Sequence, residues 1–182
     1  MNPVIFASVC LALTAATITD LRSQRLPNAL TIPTAIAAVA FHVLNQGPTG
    51  LWFSLEGFGL GLGLMLAPFL FGVMGGGDVK LMAAVGAWVG PEIVLASFLF
   101  TSIAGGLYAA LVLARRTDAV RSVFQRFWTA LLVGAGTGEF QYQPEPETRG
   151  LPRLCYGLAI TLGAVAAMTR SVFLSGWLDL AR

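Results

Sequence analysis

Two aspartates stand where a strongly apolar chain rarely keeps a charge. Asp78 closes the glycine run of MGGGDVKL (residues 74–81), directly after a long apolar stretch, and Asp20 ends another apolar stretch near the start of the chain. Two carboxylates held close cannot both ionise easily, so the pair shares a proton. The charged member can take a proton from water while the neutral member protonates a carbonyl oxygen. That is metal-free, cofactor-free hydrolytic chemistry. The remaining acids have ordinary places. Glu139, Glu145 and Glu147 lie in a polar segment, Glu56 and Glu92 lie near span ends on the other side, and Asp179 is in the tail. Asp118 suits the first turn of a surface helix.

The elements that must position the two acids follow from composition. The chain has 182 residues, 56% hydrophobic and only 11% charged, against about a quarter charged in a soluble domain. Its apolar stretches have bilayer-spanning length, on the order of 17–25 residues. The sequence predicts an all-α, polytopic membrane protein with six transmembrane helices plus an amphipathic helix on the cytoplasmic surface. The expected spans are Pro3–Thr19, Ala29–Leu44, Leu51–Val73, Val79–Val89, Ile93–Ala114 and Leu154–Leu174. Gly59 and Gly63, four apart in the third span, are expected to admit a neighbouring helix. The polar segment 115–153 holds Val120, Val123, Phe124, Phe127, Trp128, Leu131 and Leu132 at one-face helical spacing, with Arg121, Gln125 and Arg126 opposite. Two arginines are costly at mid-bilayer, so this helix is expected to lie on the surface. A single membrane-embedded domain over 1–182 is expected, with no soluble domain before or after it.

Charge sets the expected orientation. With the N-terminus outside, one face receives Arg22, Arg25, Lys80, Arg115, Arg116, Arg121, Arg126, Arg149 and Arg153, and the other only Arg170 and Arg182. Positive residues accumulate inside, so the first face is cytoplasmic, and both Asp20 and Asp78 belong to it. From Asp78 to Pro91 is about 20 Å of helix, short of a hydrocarbon core roughly 30 Å thick. Asp78 is therefore expected below the membrane surface, reached by a water-filled recess, with Asp20 as its partner.

Other residues carry weaker signals. The glycines lack the spacing of a phosphate-binding loop; Gly75, Gly76 and Gly77 are better explained by close backbone approach, in a loop that admits an extended chain beside Asp78. Lys80 has two readings, orienting substrate or tuning the acids, and snorkelling to the interface. Cys10 and Cys155 are too few for a disulfide framework or a zinc site, and His42 is expected to be packed without a role in chemistry. No basic stripe with interleaved aromatics suggests nucleic acid.

These residues resemble a known family. Gly75-Gly76-Gly77-Asp78 fits the GxGD signature of intramembrane aspartyl proteases. GGGDVKL together with DLRSQRLPN (residues 20–28) is similar to the type IV prepilin peptidases, in particular the short form of Flp/Tad pilus systems. Asp20, Arg25, Leu26, Pro27 and Asn28 match the first block, Asp78 and Lys80 the second. CYGLAITLGA (155–164), with Tyr156 and Gly157, resembles a third block in the last helix, where Cys155 replaces the family's proline. The resemblance implies Asp20 and Asp78 as catalytic residues. The supporting positions would be Gly75, Gly76, Gly77, Lys80, Arg25, Pro27, Asn28, Tyr156 and Gly157. It implies cleavage of a short, positively charged leader from a prepilin, just before its apolar helix, at the cytoplasmic side of a bacterial inner membrane. Larger members add a cytoplasmic zinc-binding domain and methylate the new N-terminus; this chain opens directly on its first span, so peptidase activity is expected and methylation is left open.

Two other classes compete. A non-enzymatic assembly component of a pilus or secretion machine would tolerate neutral replacement of either aspartate. A transporter with an aspartate proton relay would spread its acids across the membrane depth, and here they cluster on one side.

Overall fold

The computed structural model describes residues 2–23, 26–70, 74–114 and 156–180. Nearly all the described residues are helical, in five runs. These are α1 (Pro3–Ser23), α2 (Asn28–Gln46), α3 (Pro48–Leu70), α4 (Gly76–Ala114) and α5 (Tyr156–Leu180). Each of the five includes a stretch long and apolar enough to cross a membrane, and the chain is a multi-pass membrane protein. The expected surface helix and loop at 115–153 lie outside the described residues. The chain divides into two compact units, 1–105 with 155–182, and 106–154; every contact below lies within the first.

α4 is not one straight rod. Gly90 breaks it with φ 80° and ψ 177°, a backbone setting that favours glycine, and Pro91 follows. Val94 reaches to within 3.1 Å of where a Cβ on Gly86 would stand. Eight residues apart on a continuous helix would be about 12 Å apart, so the chain folds back here into two arms, 76–89 and 91–114. They correspond to the fourth and fifth expected spans. The first arm is only about 21 Å long, so helix length alone does not set the number of crossings at six.

The first arm is the hub of the bundle. Every residue from Leu81 to Gly90 is buried. Val9, Leu13 and Ala16 of α1, Met65 of α3, and Ile160, Ala164 and Met168 of α5 join it in one core. The opposite faces of the surrounding helices carry Leu11, Leu44, Trp52, Leu99 and Leu162 outward, which suits contact with lipid. Between helices in lipid there is little hydrophobic driving force, so close approach and interhelical hydrogen bonds carry association. The close approach is made by Gly57 and Gly61. A Cβ on Gly57 would meet the Gly86 carbonyl, one on Gly86 would meet the Gly57 carbonyl, and one on Gly61 would meet the Met82 carbonyl. The expected pair, Gly59 and Gly63, faces open space. The two pairs are offset by two residues, about 200° around the helix. The sequence-based expectation therefore chose the right kind of contact on the wrong face.

At the break near Gly90, carbonyls of α4 find partners on neighbouring helices. Ala87 would normally accept from residue 91, but Pro91 has no N–H. The Ser54 hydroxyl donates to the Ala87 carbonyl instead, at 2.9 Å. The next carbonyl, Trp88, accepts from His42 Nε2–H at 3.0 Å, so Nε2 carries a hydrogen. The Trp88 indole in turn donates to the Thr34 carbonyl, 3.0 Å. His42 thus has a structural role that its sequence position does not reveal. Replacing it with leucine should cost about 1–3 kcal/mol, the range for stranding a buried carbonyl. The measurement is a thermal melt of the detergent-solubilised protein; an unchanged midpoint would contradict the capping role.

Candidate active site

Asp20 occupies the last turn of α1, which runs on through Ser23 and does not stop at Thr19 as expected. A carboxylate is poorly placed there, because the C-terminal end of a helix is its negative end. It is also only 8% exposed. What compensates is another helix start. The Gly157 amide, at the N-terminal end of α5, donates to Asp20 Oδ2 at 3.0 Å. The positive end of α5 therefore faces the carboxylate that its own helix disfavours. The approach is close enough to need glycine: a Cβ on Gly157 would stand 2.7 Å from Asp20 Oδ2 and 3.1 Å from Asp20 Cγ. One turn further along both helices, the hydroxyls of Thr17 and Thr161 meet at 2.8 Å. Sequence reasoning missed this rung. Its signal was available, since Thr17 precedes Asp20 by three and Thr161 follows Gly157 by four, placing each on the same face as its neighbour.

Asp78 lies in the first turn of α4. Gly75 precedes the helix, and Gly76 and Gly77 are already inside it, so the glycine run is a helix start and not the open loop expected. The Gly75 amide donates to Asp78 Oδ2 at 3.0 Å, and the Asp78 amide donates to the Gly75 carbonyl at 3.1 Å. This is the returning half of a capping box, in which the third helical residue reaches back to the cap. Gly77 packs directly on the segment leading into α2: a Cβ there would come within 2.8 Å of Leu26 Cβ and 3.1 Å of the Leu26 carbonyl.

The two carboxylates lie at the same end of the bundle: Asp20 is in the last turn of α1, and Leu26, a few residues further on, packs on Gly77 beside Asp78. Tyr156 immediately precedes Gly157, and its ring lies 3.6 Å from the Cβ position of Gly105. Of the predicted supporting residues, Gly75 contacts Asp78 and Gly157 contacts Asp20 through their amides, while Gly77 and Tyr156 are the chain neighbours of Asp78 and Gly157. Gly76 sits against the Phe69 ring. Lys80 Nζ donates to Asn28 Oδ1 at 2.8 Å. Pro27 immediately precedes α2, and its carbonyl accepts from the Leu30 amide at 3.0 Å. Arg25 and Cys155 lie outside the described residues. Such an arrangement fixes one oxygen of each carboxylate with a backbone amide.

The sequence model of the type IV leader peptidase family matches residues 7–110, which holds both aspartates and more than half of the chain. The chain belongs to this family. Among curated proteins, it is 35% identical over 117 residues to a prepilin leader peptidase/N-methyltransferase of Bacillus subtilis. It is 33% identical over 123 residues to one of Escherichia coli. These matches cover 62% of this chain and 45% and 53% of the respective relatives, so the type IV leader peptidase chain described here spans about half the length of the curated relatives it matches. No solved structure gives a significant match to it.

Proposed function

We propose that this protein is a prepilin leader peptidase that cleaves type IV, Flp-type prepilins by a two-aspartate mechanism. The observation that carries the proposal is that Asp20 is held by the Gly157 amide of α5 and Asp78 by the Gly75 amide at the start of α4, in a chain of the type IV leader peptidase family. One carboxylate, ionised, takes a proton from a water molecule as it attacks the scissile carbonyl. The other, protonated, gives its proton to the carbonyl oxygen. Collapse of the tetrahedral intermediate then passes a proton to the departing amine, and the acids return to their starting state. The Gly157 and Gly75 amides hold one oxygen of each acid in place throughout. The substrate is a short, positively charged leader followed by an apolar helix, presented at the cytoplasmic face of a bacterial inner membrane, with the N-terminus of this chain outside. The excess of positive residues on the aspartate side supports that orientation.

The test is co-expression with a Flp-type prepilin in a host lacking its own peptidase, read as the size shift of the pilin. Wild type should cleave, and Asp20→Asn and Asp78→Asn should each leave the precursor intact while still inserting in the membrane. Cleavage that survives both substitutions would end the aspartate assignment. A wild-type protein that cuts no prepilin would favour a non-enzymatic assembly component.

A further inference from the structure

Two contacts join the segment leading into α2 and the first residue of α2 to the start of α4, and both fall on one face of α4. Gly77 meets Leu26, and Lys80 donates to Asn28 at 2.8 Å. Residues three apart on a helix are neighbours on its surface, so Gly77 and Lys80 form a one-turn seam along which residues 26–28 lie. Lys80 follows Asp78 by two residues, about 200° around the helix. Its side chain therefore leaves α4 on the side away from the carboxylate. That direction suits a lysine that fixes the position of the helix carrying Asp78 better than one that reaches the reacting atoms. The other end of the seam is tied by covalent chain to Asp20, which lies on the helix immediately before it.

We infer that Asn28 and Lys80 are positioning residues: their hydrogen bond, with the Gly77–Leu26 contact beside it, holds the start of α4 against the chain leaving α1 and so sets the spacing of Asp20 and Asp78. The inference rests on the proposed peptidase reading for its effect on rate, and on geometry alone for the spacing. It assigns to Lys80 neither substrate binding nor tuning of the acids. Asn28 supplies an oxygen acceptor that matches an ammonium donor, and an aspartate there would serve the same purpose with added charge attraction.

Two measurements test it together. In the cleavage assay with purified protein, Asn28→Ala and Lys80→Met should each lower kcat by on the order of ten- to a hundredfold, the scale of a small misplacement of reacting groups, with KM nearly unchanged. The double variant should be no worse than either single, since the two residues make one bond, and Asn28→Asp should restore most of the rate. In a background with Cys10→Ser and Cys155→Ser, the pair Asp20→Cys and Asp78→Cys should be joined efficiently by a short bifunctional reagent. Asn28→Ala should reduce that yield and Asn28→Asp should restore it. This second readout needs no activity, so it separates failure of the tie from failure of the peptidase reading. Additive losses in the double variant, a Lys80→Met effect confined to KM, or a cross-linking yield indifferent to Asn28→Ala would each overturn the inference.

Discussion

The variant carrying both Asp20→Asn and Asp78→Asn should cleave prepilin no more slowly than either single variant. General acid–base groups typically contribute about 10²- to 10⁴-fold each. If the two aspartates worked independently, the double loss would approach the product of the single losses. In the proposed mechanism they pass protons through one intermediate, and residues that act as a unit are strongly non-additive. Asparagine is the informative replacement because it keeps the shape and an acceptor oxygen. The Gly157 and Gly75 amides therefore still find a partner, and the helix ends they organise remain capped. The check is single-turnover cleavage by the three variants, alongside their thermal melts in the same detergent. Multiplying losses would mean that Asp20 and Asp78 do separate jobs.

Gly157→Ala should cost on the order of 10²-fold in cleavage while leaving the melting midpoint unchanged or slightly raised. The added methyl would stand 2.7 Å from Asp20 Oδ2, and the easiest atoms to displace are those of the carboxylate itself. Gly157 is the second residue of α5 and has helical backbone geometry, which alanine adopts readily. Activity and stability are thus expected to move apart. Gly157→Val should abolish cleavage, because a branched Cβ gives the carboxylate no room beside the α5 amide. Thr161→Val provides the comparison: it removes the hydroxyl that meets Thr17 one turn away without crowding Asp20, and should be far milder. A Gly157→Ala protein with full activity would show that Asp20 does not depend on this contact.

The sequence made some of this legible and concealed the rest for identifiable reasons. Asp20 and Asp78 stood out because a carboxylate beside an apolar stretch is expensive and therefore informative. The reversal near Gly90–Pro91 was visible because adjacent Gly and Pro punctuate an otherwise apolar stretch. The end of α1 was placed too early because hydropathy marks where the apolar stretch stops, whereas Leu21, Arg22 and Ser23 continue the helix beyond it. The glycine face was misassigned because α3 has glycines at 57, 59, 61 and 63, and in lipid both faces are apolar, so no polarity pattern says which side meets a neighbour. The partners of His42 and Lys80 were out of reach for a different reason. A carbonyl acceptor such as Trp88 is present at every residue, and an Asn–Lys pair distant in sequence leaves no periodic trace.

The broken end of the first α4 arm also bears on the order in which the protein is made. In hydrocarbon, a helix end with open carbonyls has no water to turn to, and this arm's last carbonyls are taken by Ser54 of α3 and His42 of α2. Synthesis runs from the N-terminus, so both donors leave the ribosome before the arm that needs them. The hub of the bundle is thus a late arrival, received by a hairpin that already holds the groups to complete it.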